Sequence, residues 1–89
     1  MNPSPPAIAA IIDSRCVIVN RGRRENLKIK TIYQISETHP LALLEVFQVA
    51  EKFALCRPIW VDPRCPVIKK GLRIKEFVLG VGNGQTEPD

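Results

Sequence analysis

Apolar and polar residues alternate along both flanks of this chain and repeat at a longer period between them. Residues 16–19, Cys-Val-Ile-Val, are a short β-branched run. A polar stretch containing Gly22 follows, and residues 27–35 then alternate. Leu27, Ile29, Thr31, Tyr33 and Ile35 share one face, with Lys28, Lys30, Ile32 and Gln34 on the other. A period of two marks a half-buried strand. Two such runs joined by a polar loop predict a β-hairpin.

The middle of the chain predicts a helix over residues 40–56. Pro40 suits a first helical position, and Ser36 and Thr38 are candidate caps. Leu43, Val46, Phe47, Ala50, Phe53 and Ala54 recur at helical spacing, with Glu45, Gln48, Glu51 and Lys52 opposite them. Leu41, Leu44, Val49 and Leu55 widen the apolar surface beyond one stripe, and Pro58 ends the segment. Residues 59–61 read as a short strand and 62–66 as a rigid connector. Residues 67–68 and 72–79 read as further strands around Lys69-Lys70-Gly71. In the last run Leu72, Ile74 and Val78 alternate with Arg73, Lys75 and Phe77. Residues 7–12 fit a helical turn or an added strand equally well.

The expected fold is α+β, in the order β-β-α-β-β. It is a small single domain whose mainly antiparallel sheet carries one amphipathic helix on one face. Residues 1–6 are expected to form a flexible Pro-rich lead, 7–80 the domain and 81–89 a flexible tail. A length of 89 residues allows one domain, and 45% hydrophobic residues supply its core.

Charge changes the picture more by position than by total. The formal net charge is +4. Arg15, Arg21, Arg23, Arg24, Lys28 and Lys30 are interrupted only by Glu25, and Arg64, Lys69, Lys70, Arg73 and Lys75 by no acid. Between them lie Glu37, Glu45, Glu51 and Asp62 with Lys52 and Arg57, so the chain reads basic, mildly acidic, basic. Basic side chains attract phosphates because binding releases condensed counterions.

Candidate nucleic-acid contacts are Arg21, Arg23, Arg24, Lys28, Lys30, Lys69, Lys70, Arg73 and Lys75. Phe77, which alternates with the last two, is the candidate stacking ring. Tyr33 and Trp60 are expected in the core. The same charges also suit plain solvation and protection of edge strands.

The three cysteines, Cys16, Cys56 and Cys65, are an odd number, and no secretory leader is expected at the start. Reduced, buried thiols in a cytoplasmic protein follow from this, with no membrane partner. The longest apolar stretch near the start is far short of the ~18–20 residues of a span.

Cys16, His39, Cys56 and Cys65 have the types but not the spacing of a zinc site, and the expected helix holds His39 far from Cys56. A Cys56–Cys65 disulfide would need an oxidising setting. Gly80, Gly82 and Gly84 mimic a nucleotide loop but precede an acidic tail where a helix is required. No catalytic motif, metal or cofactor is expected. The leading expectation is a small intracellular module binding RNA or DNA on basic hairpins. The alternative is a protein-interaction module: an adaptor, inhibitor or accessory subunit, of the kind viruses and mobile elements encode. Such a module would dock a second copy or another protein on Leu41, Leu44, Val49 and Leu55.

Overall fold

A computed structural model describes residues 4–36 and 39–78. Six strands form one antiparallel sheet: β1 (Ile8–Asp13), β2 (Cys16–Val19), β3 (Ile32–Ile35), β4 (Ala42–Val49), β5 (Ala54–Val61) and β6 (Ile74–Glu76). Their spatial order is β1-β2-β5-β4-β3-β6. β3, β4 and β5 are a meander; β6 returns to lie beside β3 and β2 lies beside β5, which are Greek-key connections. The sheet curls into a half-barrel whose end strands approach each other. Ala7 bridges Arg73, the Ile8 amide donates to the Leu72 carbonyl and the Gly71 amide to Ile8 (both 2.8 Å).

The expected α+β fold is thus replaced by a nearly all-β one, and among the described residues there is no α-helix. Residues 40–56 contain β4, a tight turn and the start of β5. Within β4 the alternation is of period two: Ala42, Leu44 and Val46 are buried, and Leu43, Glu45 and Phe47 are only partly covered. The helical spacing spans the turn and so joins residues of two different strands. Ala, Leu, Glu, Gln and Lys, rich in this segment, favour helices intrinsically, but pairing on both sides of β4 overrides that weak preference.

The expected hairpin is also re-paired. β2 joins β1 and β5, whereas β3 joins β4 and β6. β1 resolves the ambiguity over residues 7–12 in favour of a strand. It turns into β2 at Asp13, whose carboxylate accepts the Arg15 amide (2.7 Å), the short-range bond that makes Asp a turn residue. Strand β3 is shorter than the alternation suggests: residues 27–31 are a loop. Residues 67–68 lie in no strand. Residues 59–61 are the end of β5.

The interior is filled by Ile8, Val17, Val19, Tyr33, Ile35, Ala42, Leu44, Val46, Ala54, Cys56 and Ile74. Loop residues Leu27, Cys65, Ile68 and Leu72 pack against them. Tyr33 is in the core as its alternation requires. Trp60 is not: it is 44% exposed, on the part of β5 beyond Cys56 that β2 does not reach. Pro58 occupies the same stretch, beside a register shift against β4. A sheet tolerates proline where a strand has a neighbour on one side only.

Candidate nucleic-acid interface

Gly22 is the residue on which the first basic segment turns. Its backbone is extended, and it is buried against the β4–β5 turn. A Cβ here would lie 2.6 Å from the Phe53 nitrogen and 2.7 Å from the Glu51 oxygen, closer than real side chains come. The absent side chain lets the Arg23 and Arg24 amides donate to the Ala50 and Glu51 carbonyls (2.8 and 3.1 Å). The residues Arg23–Glu25 then form a 3-10 turn, and the Glu25 carboxylate accepts the Gly22 amide (2.8 Å).

Further along, the Lys30 amide donates to Val46 (2.7 Å). Residues 22–31 are therefore laid along the end of β4, not free in solvent. Lys28 and Lys30 sit in this loop rather than on one strand face, and Lys30 holds a left-handed backbone (φ 74°).

Asn20 and Arg21 tie this loop to the beginning of the chain. The Asn20 amide donates to Ala7 (3.1 Å) and its side-chain oxygen accepts the Ala7 amide (2.8 Å). The Arg21 guanidinium donates to the Ser4 carbonyl and to the Asn20 carbonyl (3.0 Å). On the other side of the same segment Ala7 bridges Arg73, and the Ile74 amide donates to Pro6 (3.1 Å). The two basic segments thus flank one stretch, residues 6–8. Adjacent strands are ~4.8 Å apart, so their backbones stand roughly 10 Å from each other.

Arg21, Arg24 and Lys52 line one open depression with Ser4, Asn20 and Glu25. Sequence pattern alone does not single out Lys52, because it falls in the mildly acidic middle, on the polar side of a helix that does not form. The β4–β5 turn is what brings it to the arginines.

Among the described residues the ion pairs are Arg57–Glu45 (3.6 Å) and Arg64–Asp62 (3.1 Å), both elsewhere. Within that set, Arg21, Arg24, Lys52 and Arg73 have no carboxylate partner. Lys69 and Lys70 lie just before Gly71, which bonds to Ile8, and Lys75 follows on β6, exposed like Arg73. Phe77 is half-buried, its amide donating to Ile32 (2.8 Å).

The helical docking face is not formed. Leu44 is fully buried inside the sheet, and Leu41, Val49 and Leu55 are half-buried on or beside β4 and β5. With no helix between them, nothing of that kind separates His39 from Cys56, yet among the described residues no three metal-ligating side chains gather. Cys16, Cys56 and Cys65 are free thiols. Burial pushes the Cys56 thiol up to about 12, aided by Cys16 nearby. Burial, then Glu76, pushes the Tyr33 hydroxyl to about 12. Burial also raises Cys16 and Cys65. No helix of the described residues is long and apolar enough to cross a membrane. The candidate caps include Thr38, which lies outside the described residues, as do Gly80, Gly82, Gly84 and the tail. No protein-family model, no curated protein and no solved structure matches this chain.

Proposed function

We propose that this protein is a small nucleic-acid-binding module that holds phosphates on Arg21, Arg24, Lys52 and Arg73. The observation that carries the reading is the flanking of residues 6–8 by both basic segments, which turns two sequence-distant clusters into neighbours. Lys28, Lys30, Lys69, Lys70 and Lys75 extend the positive field around this centre. Phosphate contacts of this kind position a nucleic acid and carry little sequence information. The activity is binding, not catalysis, and needs no cofactor.

The test is the triple variant Arg24→Ala, Lys52→Ala, Arg73→Ala, which spares Arg21 and its bonds to the chain start. Its affinity for a labelled oligonucleotide should fall. Its salt dependence should flatten by about one unit of slope for each phosphate that is no longer neutralised. An unchanged slope would remove these residues from the interface.

A second reading is contact with another protein at the edge of the sheet. It rests on Ile59, Trp60 and Val61, exposed in succession where β5 has no neighbour on one side.

A further inference from the structure

We infer that the ligand of this surface is single-stranded nucleic acid, with Phe53 as its base-stacking platform; this deepens the reading above and depends on it. Phe53 is 44% exposed, although the next residue, Ala54, is fully buried. Phe53 is therefore an apolar residue left outside the core, next in the chain to Lys52, which lines the basic depression. The backbone beneath it is fixed: the Phe53 carbonyl accepts the Ala50 amide (2.8 Å), and Gly22 packs directly on the Phe53 nitrogen.

That packing sets the backbone of Phe53 against the loop that carries three arginines. Lys52 precedes Phe53 in the chain, and Arg21, Arg23 and Arg24 surround Gly22 on the loop pressed against it. Single-strand binders pair exposed aromatic rings with phosphate-binding groups, and that is the role inferred for the Phe53 ring. Every base has a π-face, and the backbone then runs over the neighbouring charges. A duplex keeps those faces inside its own stack and offers such a site phosphates alone. Phe77, half-buried just after β6, has less ring to offer.

The experiment compares three probes on the full chain: a labelled oligothymidylate, a DNA duplex and inorganic polyphosphate as a competitor. Phe53→Ala is expected to weaken oligothymidylate binding by about tenfold or more, the range of a single base–ring stack, and to leave duplex and polyphosphate binding as they were. Phe53→Tyr should retain the single-strand affinity. Phe53→Leu should lose it while melting like the wild type, which separates stacking from folding. Equal affinity of Phe53→Ala and wild type for the single strand would overturn the inference. So would an equal loss on all three probes. If the triple basic variant still loses polyphosphate in that case, the basic surface stands and only the stacking role falls. If the wild type binds none of the three probes, both readings fall together.

Discussion

Gly22 shows how one residue controls the position of several others. Its missing Cβ permits the Arg23 and Arg24 amides to reach the β4–β5 turn, and no other residue fits that gap. Gly22→Ala should destabilise the fold by about 1–3 kcal/mol, the usual cost of forcing an extra carbon into a packed site. It should also lower oligonucleotide affinity by more than the unfolded fraction accounts for, because the loop carrying Arg21 and Arg24 is pushed off the turn. Chemical denaturation and anisotropy on the same samples check both effects. A stable variant with intact affinity would contradict this role.

Cys56 and Tyr33 make a second prediction at this scale. Their ordinary values are 9.0 and 10.0, and in the folded chain each is raised to about 12. Above pH ~9 the unfolded chain loses protons that the folded chain keeps. Stability is therefore full below that point and should fall as pH rises from about 9 to about 12. Denaturation midpoints measured across that window should decline, first through Cys56 and then through Tyr33. A flat profile would mean that these groups are not shielded.

The elements differ in how plainly their residues announce them. Strand β2, the end of β5 and the alternation of Ile74 between Arg73 and Lys75 are legible, because β-branched residues and a period of two speak for themselves. The interior position of Tyr33 is legible for the same reason. Strand β4 and the start of β5 are not. Leu43 and Phe47 fit a helical stripe as well as a strand, and only the long-range pairing of β4 with β3 and β5 decides between them.

Pro58 has the look of a helix stop in the sequence and is a strand residue at a half-open edge. Edge strands carry the risk of pairing with other chains, and proline reduces it by removing a donor. Pro58→Val should restore that donor beside Ile59, Trp60 and Val61. Light scattering should then show larger species than the wild type at equal concentration. No change would assign the protection to the register shift alone.

At the scale of the whole molecule, curling the sheet does what no local pattern can reveal. The basic character of both flanks is plain in the sequence, but their adjacency depends on the Ala7–Arg73 bridge and the Asn20–Ala7 bonds, which join distant parts of the chain. Lys52 and Phe53 stay hidden because the role proposed for them follows from a turn at which the residue pattern predicts a helix. The same fold removes the apolar helix face, since Leu44 is an interior residue.

Above all, the curled sheet brings two basic segments beside one stretch of chain, which we propose to be one nucleic-acid surface. The most direct test is fluorescence anisotropy of labelled single-stranded and duplex oligonucleotides, titrated with the wild-type chain at low and at physiological salt. A surface of this kind should bind at low salt and weaken steeply as salt rises, with the single strand bound more tightly than the duplex. Absence of binding at low salt, or binding indifferent to salt, would contradict it.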